Sequence, residues 1–271
     1  MDLEITKSNS TYSLEENGIQ ITDFIVSSLP ILSDYDNVES SDRRIDRGAT
    51  FGSRTITTPF YFESPSLIDF PKFRDFLFSL VVSKESFYIR EKRRETNQSY
   101  RFSLMGQEKT IPFEFRSQYA NDKRFLVRLQ NTFDIEQIYK TGRGSLTFET
   151  TELPFAETVD MINETFTGTS FQLNNDGVDI HPFEQELKIT IKNINAPNFS
   201  LKNLTNGSEF KINSPVSNNQ VIILDGPNVT SNGLAYLRET NMNFIELNQG
   251  VNLFQTSHNA TIEFEYRKYY L

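Results

Sequence analysis

Two histidines and a few closely spaced carboxylates are the residues of this chain with the means for acid–base chemistry. His181 precedes Pro182 at the start of a strand-like run, and His258 sits in the polar segment TSHNA, which reads as a turn. Either imidazole titrates in the range of a general base, yet the sequence sets no nucleophile beside it. Glu184 and Glu186 alternate onto one face of an expected strand, as do Glu263 and Glu265. Paired carboxylates are the acid and base of glycoside hydrolysis, but any solvated strand face produces the same spacing. Asp176 and Asp179 flank Gly177 without the alternating oxygen ligands of a calcium loop. Gly142-Arg143-Gly144 lacks the third glycine and the helix of a dinucleotide loop and reads as a turn. The chain has no cysteine, which removes thiol nucleophiles, disulfides and Cys-ligated zinc. With no catalytic constellation, no metal site and no cofactor site, the expectation is a non-enzyme that works by binding.

The elements that carry these residues follow from the totals. A length of 271 residues with 37% hydrophobic side chains allows one large domain or two ordinary ones with real cores. A formal net charge of -9 argues against a protein that coats nucleic acid. Residues 1–30 lack the basic start and apolar core of a signal peptide, and no apolar run approaches a membrane span. A chain made in the cytoplasm without membrane insertion is therefore expected, and the Asn-X-Ser/Thr triplets at Asn9, Asn163, Asn203, Asn228 and Asn259 read as chance.

Composition changes once. Residues 1–155 hold 20 Lys+Arg, 23 Asp+Glu and 6 Asn, whereas residues 156–271 hold 7, 13 and 18, so a boundary between two domains falls there. The first domain, 1–155, is expected to be β-rich. GSRTITTPFYFE, RFLVRLQNTFDIEQI and GRGSLTFETTELPF read as strands, with Phe125, Val127 and Leu129 on one face. SFYIREKRRETNQSYRFSLMG reads as two strands joined by a long polar hairpin loop that contains Arg90, Arg93 and Arg94. One helix is expected at about 70–82, where Phe73, Phe76, Leu77, Leu80 and Val81 recur at three- and four-residue spacing after an N-cap at Asp69. LSDYDNVESSDRRIDRGATFGSR reads as a long loop or arm, and its Arg43, Arg44 and Arg47 lie among acids that suit a subunit contact better than nucleic acid. The second domain, 156–271, reads as a β-sandwich. Leu187, Ile189 and Ile191 alternate, as do Ile262, Phe264 and Tyr266, and NNDG, TNGS, DGPN and SNG mark turns.

The order of these pieces resembles the distal tail protein family of long-tailed, non-contractile bacteriophages of Gram-positive hosts. The resemblance rests on GSRTITTPFYFE, FRDFLFSL, FYIREKR, YRFSLMG, FDIEQI and LPFAET, then LKITIKN, SLKNLTNGSEFKIN, VIILDG and ATIEFEYRKYY. It implies a structural hub of the tail tip or baseplate in the virion, at the distal end of the tail. In that family a first, sandwich-like domain with one helix builds a homo-hexameric ring. The ring joins the tail tube protein to the tail-associated lysin or tip protein and to the receptor-binding protein, while a galectin-like or carbohydrate-module-like sandwich projects outward. A six-fold ring needs head-to-tail contacts, which Arg43, Arg44, Arg47, Arg90, Arg93 and Arg94 are placed to supply. The alternative is a carbohydrate-binding module that recognises host cell-wall saccharide through the second sandwich. Sugar-binding faces commonly stack on Trp, of which there is none here, leaving Tyr to substitute.

ETTELPFAET lies at the seam. Pro154 ends strand pairing, and Leu153 and Phe155 are too apolar for a free tether. Leu153, Pro154 and Phe155 are thus expected to anchor the crossover between domains, on one side or the other.

Overall fold

The computed structural model describes residues 1–8, 10–95, 116–119 and 122–271, with only the backbone at 94, 95 and 116–119. Its described part is mainly β with one α-helix, as expected, and divides into two compact units, Met1–Ala156 and Glu157–Leu271. No helix among the described residues is long and apolar enough to cross a membrane.

The first unit contains β1 (Asp2–Lys7), β2 (Ser10–Ser13), β3 (Ile19–Ile21), β4 (Ile25–Val26), β5 (Ile31–Asn37), β6 (Arg44–Phe51) and β7 (Thr55–Glu63). After α1 (Phe70–Val81) come β8 (Phe87–Glu95), β9 (Arg116–Tyr119), β10 (Lys123–Leu129), β11 (Glu136–Ile138) and β12 (Thr141–Thr150). The main sheet runs β2–β1–β8–β10–β12–β7–β3, with β9 beside β8, β11 beside β12 and β4 beside β7. Strand β7 shows the period of two that builds it: Ile56, Thr58, Phe60 and Phe62 are buried while Tyr61 and Glu63 are exposed. The helix lays Phe70, Leu77, Leu80 and Val81 against the core. Phe62 receives it, stacked on Phe73 at 5.6 Å between centroids and tilted against Phe70 at 5.2 Å.

Five local expectations change. Asp69 holds the N-cap position but caps no backbone N–H; its carboxylate accepts from Ser66 Oγ at 2.7 Å and Lys72 Nζ at 2.9 Å. Those two partners hold the carboxyl below its usual range, the Lys72 hydrogen bond most.

Gly142 and Gly144 lie inside β12 instead of in a turn, which falls at Tyr139 and Lys140, where Tyr139 takes a φ of 57°. The glycines are there because aromatic rings of β7 cross the strand. A Cβ on Gly144 would stand 2.8 Å from Phe60 Cζ and 2.7 Å from the Asp134 carbonyl oxygen, and one on Gly142 would collide with the Phe62 ring.

Arg90 and Arg93 are not in a hairpin loop. They belong to β8, where Arg90 stands opposite Glu4 of β1 and Arg93 opposite Gln118 of β9; Arg94 is opposite Ser117. The Tyr-led strand expected over residues 100–106 lies outside the described residues.

The polar segment around Arg43, expected as a long loop or arm, is a hairpin, β5–β6, forming a sheet of its own. The FDIEQI run also forms less strand than expected, since β10 stops at Leu129 and only β11 follows.

Strand β13 (Ala156–Thr158) leads into the second unit, which contains β14 (Ile162–Asn175), β15 (Leu187–Lys192), β16 (Phe199–Asn203), β17 (Glu209–Ile212) and β18 (Ile222–Asp225). They are followed by β19 (Asn228–Ser231), β20 (Leu234–Ala235), β21 (Gly250–Tyr266) and β22 (Tyr269–Tyr270). The sheet order is β17–β16–β21–β15–β18–β19–β20, with β14 also on β21. Leu187, Ile189 and Ile191 are buried, as are Ile262, Phe264 and Tyr266. Phe171 stacks on Phe166 at 4.5 Å and on Phe254 at 5.0 Å, a column of rings that runs from two half-buried rings to the buried Phe254. The DGPN turn closes β18 to β19 through Gly226, whose φ of 52° suits glycine.

Candidate functional site

The β5–β6 hairpin is the least covered part of the described chain. Ile31 is 66% exposed, Leu32 58% and Ile45 53%, and Tyr35 and Phe51 are exposed as well. Register explains how such a sequence makes two faces. Ile31 stands opposite Phe51 and Ser33 opposite Ala49, with Tyr35 further along the same face; Leu32 and Ile45 lie on the other. A register shift after Asp34 places Arg47 as the extra residue, and its guanidinium binds Asp36, with Nε 2.6 Å from Oδ2. Arg44 lies over the Tyr35 ring, 6.0 Å from its centroid. Arg43 takes part in the hairpin's closing turn, its N–H donating to Ser41 Oγ at 3.1 Å.

The other three predicted arginines sit elsewhere. Arg90 pairs with Asp122, and its side chain is largely buried. Arg93 is exposed and donates to Glu91 at 2.5 Å. Of the six arginines, three belong to the hairpin segment and three to β8.

Of the seam residues, Leu153, Pro154 and Phe155 are all half-buried. Phe155 packs edge-on against Phe51, the last residue of β6, so its contact is within the first unit.

In the first unit, Arg54 follows the hairpin and is only 4% exposed. Its Nε has no acceptor, no carboxylate among the described residues pairs with it, and its guanidinium carbon lies 6.0 Å from the Phe125 ring centroid. Burial pushes its pKa down, and burial together with Arg54 pushes Lys123 down.

Glu184 apart, the carboxylates considered for acid–base chemistry are committed to other partners. Glu184 lies in a turn and Glu186 just before β15, so they share no strand face, and Glu186 accepts from Arg267 Nε at 2.6 Å. Glu263 and Glu265 do share a face of β21, but each is bound to a lysine of β15: Lys192 at 2.7 Å and Lys188 at 3.0 Å. Asp176 is bound by Lys268 at 2.9 Å, which lowers its pKa, and Asp179 accepts from Gln249 N–H at 2.7 Å. No group of three or more His, Asp or Glu side chains able to hold a metal occurs among the described residues. His258 lies within β21, at the register shift opposite Gly168 to Ser170, and not in a turn.

Among the histidines and carboxylates first singled out, His181 lines a recess. It is a groove of about 410 Å³ in the second unit, bordered also by Phe183, Glu209, Met242, Phe244 and Glu246. Sequence reasoning passed over Phe183 and Phe244 because the groove's walls come from three turns far apart in the chain.

Residues 8–150, more than half of the chain, match the model of the phage tail protein RIFT-related domain. The chain belongs to this family of phage tail proteins. Among solved structures it resembles the crystal structure of SPP1 Dit (gp 19.1), described as a paradigm of the hub adsorption apparatus in phages that infect Gram-positive hosts. The two share 10% identity over 98% of each chain with a TM-score of 0.68, a likeness of fold. Chains of the phage P2 baseplate in its activated conformation, with Ca and with Sr, match at 10% identity over 98% of this chain and 97% of theirs. Their TM-score is 0.38. No curated protein matches the sequence.

Proposed function

We propose that this tail protein is the structural hub of the tail tip, a hexameric ring that joins the tail tube to the tail-associated protein and the receptor-binding components. The observation that carries the reading is the bare β5–β6 hairpin. A two-stranded hairpin is marginal in water by itself, and this one leaves apolar side chains on both faces and pairs with no third strand among the described residues. Its natural cover is another protein surface. A ring supplies one on every protomer, because head-to-tail contacts repeat until the rotation closes. Arg43, Arg44 and Arg47 on the hairpin, and Arg90, Arg93 and Arg94 on β8, are then the polar part of the contact. The fold shared with SPP1 Dit, itself described as part of a hub, supports the same reading. In this reading Met1–Ala156 is the ring domain, Glu157–Leu271 faces outward, and Leu153 to Phe155 anchor the crossover.

Light scattering with negative-stain imaging of the purified chain, alone and with tail-tube and tip proteins, tests this. Six-fold rings in either preparation are expected. A monomer in both, at concentrations well above those of assembly, would overturn it.

A further inference from the structure

We propose that the groove beside His181 is a binding site for the pyranose ring of a neutral or amino saccharide. This goes beyond the ring reading and does not depend on it. The groove's volume of about 410 Å³ falls within the range of small-ligand sites.

One wall is an aromatic corner. Phe183 and Phe244 meet edge to face at 4.8 Å and 71°, and His181 adds a third ring 5.3 Å from Phe183. Phe183 remains 53% exposed, an apolar ring presented to solvent inside a recess. The C–H face of a pyranose packs on such a ring, and phenylalanine offers a face as the absent tryptophan would.

The rest of the lining is what sugar hydroxyls require. Glu246, Glu209, Ser208 and Asn243 border the recess with acceptors and donors, and His181 Nε2 lies 3.4 Å from Glu246 Oε1. Glu209 is paired with Lys211 at 3.0 Å, which leaves Glu246 as the charge that favours neutral or amino sugars over acidic ones.

The walls are held in place before any ligand arrives, and asparagines do the holding. Asn206 Nδ2 donates to the Glu246 carbonyl at 3.0 Å and to Asn248 Oδ1 at 2.7 Å. Fully buried Asn203 donates to the same carbonyl at 2.9 Å and to Asn252 Oδ1 at 2.8 Å. Asn241 ties its own turn to the Glu209 carbonyl at 2.9 Å, and Gln185 Oε1 accepts from His181 N–H at 2.7 Å. Backbone that would otherwise move is thereby fixed, which lowers the entropic cost of binding. The surplus of Asn in residues 156–271 has a physical use here.

Ligand-observed saturation-transfer NMR on the full chain tests the proposal, with N,N′-diacetylchitobiose, methyl glucoside and glucuronate as probes. Saturating transfer to the pyranose C–H protons is expected for at least one of the first two, with glucuronate weaker. Phe183→Ala, an exposed position, is expected to weaken binding by about tenfold or more, and Glu246→Gln to admit glucuronate. Absence of transfer to every probe, or binding that survives Phe183→Ala unchanged, overturns the proposal.

Discussion

Phe155 meets Phe51 edge to face, with ring centroids 5.9 Å apart and planes at 80°. Phe51 ends β6 at the root of the hairpin, so the stretch that leaves the first unit is fastened to the base of its most exposed element. Replacing Phe155 with Asp sets a charge against that ring and forfeits about 1–2 kcal/mol of packing. Phe155→Asp is expected to fold but to be cut faster by protease between residues 151 and 158, while Phe155→Leu stays close to wild type. Equal cleavage of all three proteins would dispose of the anchor.

Gly144 has no room for a side chain, since its Cβ would sit 2.8 Å from Phe60 Cζ and 2.7 Å from a backbone oxygen. The backbone oxygen cannot swing aside as a flexible side chain would. Gly144→Ala is expected to cost about 1–3 kcal/mol, as overpacking does. Thermal unfolding checks this, and a midpoint equal to wild type would show that β12 and β7 separate at little cost.

Arg54 is buried without a carboxylate among the described residues, and its Nε lacks an acceptor. Breaking a buried pair is destabilising, but none is formed with Arg54 among the described residues. Arg54→Met, of similar length and without the charge, is therefore expected to leave stability unchanged or raise it by about 1–2 kcal/mol. A loss of stability in urea titration would mean that the guanidinium contributes more through Phe125 than it forfeits in hydration.

Tyr269 has its pKa pushed up to about 12 from an ordinary 10.0, chiefly by burial. Its hydroxyl accepts from Glu186 N–H at 3.0 Å. Because the folded value is the higher one, this stabilisation is complete below pH 10 and is lost as pH climbs from there through about 12. Tyr266 is raised too, by burial first and then by its hydrogen bond to Glu164. Urea midpoints measured across that window should fall less steeply for Tyr269→Phe than for wild type. Identical slopes would show that the Tyr269 hydroxyl does not govern the alkaline limb.

Where burial is set by the local pattern, the sequence was readable. Ile262, Phe264 and Tyr266 alternate into the core of β21, and Leu77, Leu80 and Val81 mark the buried side of α1. Where a residue answers to a distant neighbour, it was not. Gly142 and Gly144 looked like turn-formers because the rings of Phe60 and Phe62 that demand them lie some 80 residues earlier. Glu184 and Glu186 looked like strand residues although a short-range turn closes there between His181 and Gln185, and Glu186 answers to Arg267, 81 residues on. The groove suffered most, its walls coming from residues near 182, 208 and 244. Only the excess of asparagine hinted that loops in this half were pinned.

The hairpin also sets a schedule. Each of its strands has an outer edge with no partner among the described residues, so a newly made copy can add a strand to any other copy it meets. Loss of usable subunits should grow with concentration and waiting time, and early capture by the growing tail would rescue them. The acidic and basic side chains strung along the hairpin slow that loss, since in-register stacking would set like charges side by side.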